Sequence, residues 1–360
     1  MFSSQVDPAR EQATADRGGS LVRQAYALVG HLAEPRPVLY FADLFGSAAA
    51  GWGGLFLGAR AWPSRWAWPL LALAVVALYR SASFIHEITH LRRGAVPGFT
   101  VAWNALVGVP LLLPSLLYVG VHGVHHAKLH YGTARDPEYL TLGHWPAWKL
   151  AAWVLQATLL PAALGLRFLV LSPLSLLHPR LRAWVWRKAS ALTINPDFTR
   201  GLPSPSERTG FLVLEAASFA WAAALVALLA SGMLRPRYPA AAAGAAAVVG
   251  VLNQIRTVVA HRFQNEGRTL TVEEQFLDSV NVPGHRLLTG VWSPVGLRYH
   301  ALHHLLPGLP YHALGRAHRM LMASLPVEGA YRKANEPSLV AALVALLTGA
   351  AAARASRTCR

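Results

Sequence analysis

Apolar positions run along this chain in long blocks rather than at amphipathic intervals. Residues 38–59 are apolar apart from Asp43, and residues 62–85 resume after a short turn around Pro63 and Ser64. Such blocks match the roughly 20 residues a helix needs to cross about 30 Å of hydrocarbon, so they predict a first helical hairpin. Trp62, Trp66 and Trp68 mark its far end, where amphipathic indoles suit a membrane–water boundary. The second helix runs without a breaker into His86, and Arg80 near its end is expected to snorkel toward the headgroups. A second hairpin fits residues 210–232 and 239–260, joined by Arg235-Pro236-Arg237.

The polar islands between these blocks are rich in histidine. Nine of the 16 histidines fall into four groups: His86 and His90; His122, His125 and His126; a lone His261; and His300, His303 and His304. The second and last groups share the spacing H-x-x-H-H, and positions i, i+3 and i+4 lie on one face of a helix. Each box can point three imidazoles at one place. Neutral imidazole suits zinc, copper, nickel and iron, so residue type alone does not name the metal. A single zinc takes about four ligands, and nine converging histidines overfill it, whereas two metals use them all.

A shared site constrains the topology. Residues 99–119 pass for a full span by hydropathy, but they carry Pro110 and Pro114 and lie between two histidine groups. A full crossing would put His90 and His122 on opposite sides of about 30 Å of hydrocarbon. The segment is therefore expected to be broken, re-entrant or interfacial. The same expectation covers residues 148–177, interrupted by Pro161, Arg167 and Pro173 and followed by Arg180, Arg182, Arg187 and Lys188. Four spans result, with both termini on one side. The alanine-rich residues 337–353 read as a surface helix rather than a fifth span.

Composition narrows the class. The 360 residues are 54% hydrophobic and 14% charged, which makes one polytopic membrane protein of a length that would otherwise suggest several domains. The segment around Asp7, Glu11 and Asp16 lacks an apolar core and does not read as a signal peptide. The single cysteine, Cys359, excludes an internal disulfide framework, a Cys-ligated zinc and a Cys-bound cluster. The net charge of +16 is spread through interhelical segments without a stripe of stacking aromatics, so it reads as positive-inside bias and not as nucleic-acid binding. Such a basic face also attracts anionic headgroups, the phosphates of an acyl-CoA or an acidic carrier protein.

Read together, H-x-x-x-H at 86–90, H-x-x-H-H at 122–126, His261 and H-x-x-H-H at 300–304 resemble the membrane fatty acid desaturase superfamily, bacterial type. The tail L-R-Y-H-A-L-H-H-L-L-P-G-L-P-Y-H, residues 297–312, and H-H-A-K-L-H-Y-G-T-A-R-D-P-E-Y after the second box carry the same resemblance, which covers roughly residues 38–320. It implies an all-α, four-span helical bundle with a cytoplasmic histidine-box cap, at a bacterial inner membrane with active site and termini inside. It further implies that His86, His90, His122, His125, His126, His261, His300, His303 and His304 hold two non-haem irons that work on dioxygen. The chain divides on this reading into an N-terminal segment 1–37, the desaturase-like domain 38–320 and a helical tail 321–360.

The expected reaction is desaturation of an acyl chain carried by a lipid, coenzyme A or an acyl carrier protein, with electrons from a separate ferredoxin or cytochrome-type donor. Hydroxylation of a lipid, alkane or carotenoid is the alternative. Glu87, Asp136, Glu274 and Asp278 are candidates to hydrogen-bond the outer nitrogens of ligand imidazoles, with Glu138 a further carboxylate nearby. In one branch of the family an asparagine completes the shell through water, which singles out Asn253 and Asn265. A rival lies in H86-E87-I88-T89-H90, which matches the H-E-x-x-H of zinc metalloproteases, with Asn195-Pro196-Asp197 as a possible source of an aspartate ligand. That reading leaves most of the clustered histidines unexplained. A histidine-rich transporter would place its ligands midway through the spans, whereas these sit at or beyond the span ends.

Overall fold

The computed structural model describes residues 8–358; Asp7 and Cys359 lie outside the described residues. Its long helices are α1 (Pro8–Val29), α2 (Pro37–Ala61), α3 (Ala67–His90), α4 (Ala147–Ser175), α5 (Pro205–Ala230) and α6 (Arg237–Val258). Further helices include α7 (Val272–Asp278), α8 (His300–Leu305), α9 (Tyr311–Ser324) and α10 (Leu339–Thr358). Among the described residues there is no strand, only isolated bridges such as His261 with Ser279. The all-α expectation holds.

The described chain forms two compact units. The first comprises the described residues up to Pro35, Val124–Ala147 and those from Arg256 onward, and the second Arg36–Gly123 and Trp148–Ile255. The second histidine box straddles the division, with His122 in the second unit and His125 and His126 in the first.

In the second unit, α2 and α3 form the expected hairpin. Gly51, Gly54 and Gly58 are buried in its seam, where small residues let two backbones approach. α3 continues as one helix from its apolar stretch through His86 to His90. Arg80 does not simply snorkel: its Nε donates to Asp43 Oδ1 at 2.6 Å, because the facing helix offers a carboxylate within reach. Residues 99–119 are broken, as expected. A helical turn at Phe99–Trp103 passes into a π-turn at Asn104–Gly108, and a 3-10 turn follows at Ser115–Leu117. Asn104 ties the break together, its Oδ1 accepting from Ser115 N and its Nδ2 donating to Ser115 Oγ, each at 2.8 Å.

Among the described residues, four helices are long and apolar enough to cross a membrane by length and composition: α3, α4, α5 and α6. Three of the four spans read from the sequence correspond to α3, α5 and α6, and α4 is a further apolar helix of spanning length. α4 is one 29-residue helical run rather than an interrupted segment. Pro161 and Pro173 each sit in the first turn of a helical stretch, where no donor is missed, and 3-10 and π turns absorb the changes of pitch. Arg167 is tolerated because its Nη2 pairs with Glu215 Oε1 of α5 at 2.9 Å. α2 is 25 residues long, packs along α3 as the other arm of the hairpin and carries Asp43 and Arg60 among its apolar residues. α5 begins at Ser204 and Pro205, with Glu207 Oε2 accepting from Ser204 N at 3.0 Å, the reciprocal arm of a capping box.

The first unit packs around α8. Ala25 and Val29 of α1, Phe276 of α7, Leu302 and Leu305 of α8, Leu314 and Leu321 of α9, and Tyr331 share one core. α10 buries Ala342, Leu346 and Ala350 along one face, and its apolar part, Leu339–Ala351, is shorter than the four spans.

Candidate metal centre

In the first unit three different structures deliver four imidazoles to one point. His125 closes the short helical turn His122–His125. His300 and His304 stand one turn apart on α8, whose start is held by Asn281: its buried Oδ1 accepts from Leu302 N at 3.0 Å. His261 follows α6 in a non-helical segment paired with residues 278–280, through Arg262 N to Asp278 O at 2.7 Å and Val280 N to Ala260 O at 2.8 Å. That pairing also sets Asp278 and Ser279 beside His261.

The donor atoms of His125, His261, His300 and His304 all lie within 4.8 Å of one another. His300 Nε2 is 2.9 Å from His261 Nε2 and 3.1 Å from His304 Nε2. Two nitrogens bound to one ion at about 2.1 Å and at right angles are about 3.0 Å apart, so this crowding fits cis positions around a single metal.

Outer partners turn the lone pairs inward. Asp136 places both carboxylate oxygens 2.9 Å from His125 Nδ1, which donates to them and leaves Nε2 bare. Tyr131 donates to Asp278 Oδ2 at 2.7 Å, so its oxygen accepts from His261 Nδ1 at 2.8 Å. Tyr139 donates to the other Asp278 oxygen at 3.1 Å. Metal-ligating histidines commonly have their remaining nitrogen held in this way.

The electrostatics agree. Burial, reinforced by neighbouring histidines, holds His261 and His304 well below the ordinary imidazole range. Burial also acts to lower His125, but Asp136 outweighs it and raises the imidazole. Burial pushes Asp278 up to about 6 against the hydrogen bonds from Tyr131 and Tyr139. His261 and His304 are thus held as neutral imidazoles, the form a metal takes, while the Asp136 carboxylate favours a proton on His125.

His126 and His303, also in the first unit, bring their Nε2 atoms to 3.1 Å. In the second unit, His86 and His90 follow one another on α3 with ring centroids 5.0 Å apart, and His122 lies 4.5 and 4.9 Å from them. Tyr118 Oη is 2.9 Å from His122 Nδ1.

The other expected residues divide. Asp136 lies directly against His125 Nδ1, whereas Asp278 reaches His261 through the Tyr131 hydroxyl. Glu87 is buried and accepts from Tyr40 Oη at 2.6 Å. Glu274 caps α7 through Thr271 N at 2.9 Å and pairs with Arg268. Asn265 donates to the carbonyls of Gly132 and Arg268 at 2.9 and 2.8 Å. Asn253 lies half-buried on α6, and Glu138 N donates to Asp136 Oδ1 at 2.8 Å. Tyr118, Tyr131, Tyr139 and Ser279 were not singled out from sequence. Tyr131 sits inside the H-H-A-K-L-H-Y run and Tyr118 four residues before His122, and neither residue type nor spacing sets them apart from ordinary packed tyrosines. Asp197 is exposed, unlike a buried zinc ligand, so the protease reading loses its aspartate.

A histidine-lined metal centre in a helical membrane scaffold is the class that the fold and this geometry define. The profile of the fatty acid desaturase family matches residues 60–335, and the chain belongs to that family. It is an oxidoreductase and an integral membrane protein. The chain is also 46% identical over 324 residues to a ceramide hydroxylase of Caulobacter vibrioides, covering 90% of this chain and 92% of that protein. This corrects the expected reaction: a relative so similar along nearly its whole length hydroxylates, so desaturation is no longer the reading.

Proposed function

We propose that this protein is a membrane hydroxylase that inserts oxygen into a C–H bond of a ceramide-type lipid. The observation that carries the reading is the 46% identity to a ceramide hydroxylase across 90% of the chain. The nine box histidines are the proposed ligands of two irons. For His125, His261, His300 and His304 the proposal rests on their converging donor atoms. For His86, His90, His122, His126 and His303 it rests on the order of boxes in the sequence.

Bound iron would supply the oxidation chemistry, in which dioxygen, two external electrons and two protons place one oxygen atom in the substrate and release the other as water. The chain's own part is orientation and exclusion of water. Asp136 fixes the tautomer of His125, and the Tyr131–Asp278 pair fixes that of His261. Burial of all three keeps bulk water from those positions. Electrons come from a separate ferredoxin or cytochrome-type donor, and the active site and termini face the cytoplasm across an inner membrane, which reporters fused at each terminus test.

The deciding experiment expresses the chain in cells supplied with ceramide and follows lipids by mass spectrometry. A ceramide species that gains one oxygen, absent with His304→Ala, supports the reading. A product that has instead lost two hydrogens, or no change in ceramide, overturns it.

A further inference from the structure

The chain leading into His122 is not helical. After the 3-10 turn Ser115–Leu117 it reverses through Gly120 at φ +75°, a left-handed conformation that glycine adopts without strain. Such a turn strips carbonyls of helical partners, and buried ones must find donors elsewhere. The backbone serves three of the five between 115 and 119. Ser115 O accepts from Tyr118 N and Val119 N, Tyr118 O from Val121 N and His122 N, and Leu117 O from Leu192 N at 2.8 Å.

The two left over are served by one side chain. Arg200 Nη1 donates to Leu116 O and, at 2.6 Å, to Ser190 O, while Nη2 donates to Val119 O at 2.7 Å. Arg200 is only 7% exposed, and its guanidinium lies 4.6 Å over the Phe211 ring. Three carbonyl dipoles meet its charge at hydrogen-bond distance, and Glu207 adds a longer-range attraction. Its partner Ser190 is itself held: Ser190 Oγ accepts from Arg167 Nη2 at 2.8 Å, and Arg167 pairs with Glu215. The turn so braced carries both His122 and Tyr118, whose hydroxyl lies 2.9 Å from His122 Nδ1.

We propose that Arg200 is a positioning residue for the second histidine box, holding the turn before His122 in the conformation that presents its imidazole. This rests on the reading of the box histidines as iron ligands. Only a planar fork with several fixed donors serves carbonyls on both sides of a turn, and a lysine ammonium does not replace it. The contacts of Arg200 stay within the second unit.

The test is iron content and chelator competition on detergent-purified protein. Arg200→Met should bind one of its two irons about 10-fold or more weakly, the scale of losing a ligand's supporting partner. The other iron should keep wild-type affinity and its spectroscopic signature, and Arg200→Lys should fall between. Retention of both irons at wild-type affinity in Arg200→Met overturns the proposal, and so does parallel loss of both, which marks general misfolding. If Arg200→Met does not purify, Arg200→Lys carries the same comparison. If His122→Ala itself keeps both irons at full affinity, the ligand reading fails first and this proposal with it.

Discussion

Both carboxylate oxygens of Asp136 lie 2.9 Å from Nδ1 of His125, and both residues are wholly buried. The carboxylate has little freedom, because its oxygens also accept from Gly132 N and Glu138 N at 2.8 Å each. The loop after the second box therefore folds around Asp136, and the fixed carboxylate in turn fixes the imidazole. Local backbone geometry and ligand orientation are set by the same side chain.

Asp136→Asn keeps the shape and removes the charge. An amide still accepts at its one oxygen, but its NH2 points hydrogens at N–H groups from which the second carboxylate oxygen accepted. Iron affinity should fall about 10- to 100-fold, the usual cost of an outer partner of a ligating histidine. Chelator competition on purified protein measures it, and an unchanged affinity would show that His125 needs no orienting group.

Tyr131→Phe removes the hydroxyl that joins His261 to Asp278 and leaves both polar groups short of a partner in a buried place. The expected cost is about 1–3 kcal/mol in iron binding. A double-mutant cycle with Asp278→Asn should be strongly non-additive, because the two residues act on His261 as a unit. Additive losses would mean that each touches the site independently.

Much of this was legible in sequence, and the failures have physical causes. The histidine boxes and the helix running through His86 to His90 were readable because spacing and apolar length are local properties. The role of α4 was not, because its interruptions count residue by residue while their compensation is tertiary: Arg167 is satisfied by Glu215, 48 positions away. The carboxylates divided for the same reason. Asp136 reaches His125 across 11 residues, whereas Glu274 found a nearer use in capping its own helix. Desaturation against hydroxylation depends on substrate placement, which no motif records; only the relative separated them.

His318 makes stability depend on pH away from the metal centre. It is buried on α9 with Nδ1 3.0 Å from Tyr331 Oη. Burial, then Arg298 and Arg319, lower it from 6.5 to about 4. The folded state thus resists a proton that the unfolded chain accepts at the ordinary value. Stability is fully present above 6.5 and declines as pH falls toward 4, where the loss levels off. The total is on the order of 3 kcal/mol. His318→Gln should flatten the decline in thermal midpoint between about pH 7 and pH 4. Equal slopes for both proteins would remove His318 as the source.

The α2–α3 seam gives a prediction whose sign changes within one residue. A Cβ on Gly54 would meet Leu70 O at 2.9 Å and Ala74 N at 3.2 Å, both backbone atoms of the facing helix. Neither can yield without moving the helix, and overpacking of this kind costs about 1–3 kcal/mol. A Cβ on Gly53 meets nothing within 4 Å. There the only effect is lost backbone freedom in the unfolded chain, so alanine should stabilise by about 0.5–1 kcal/mol. Gly54→Ala should therefore lower the thermal midpoint in detergent while Gly53→Ala raises it. Gly51→Ala should cost less than Gly54→Ala, since two of its three close contacts, Leu78 Cδ2 and Cγ, belong to a side chain with other rotamers. A gain at both Gly53 and Gly54 would mean that the two helices are not in close backbone contact.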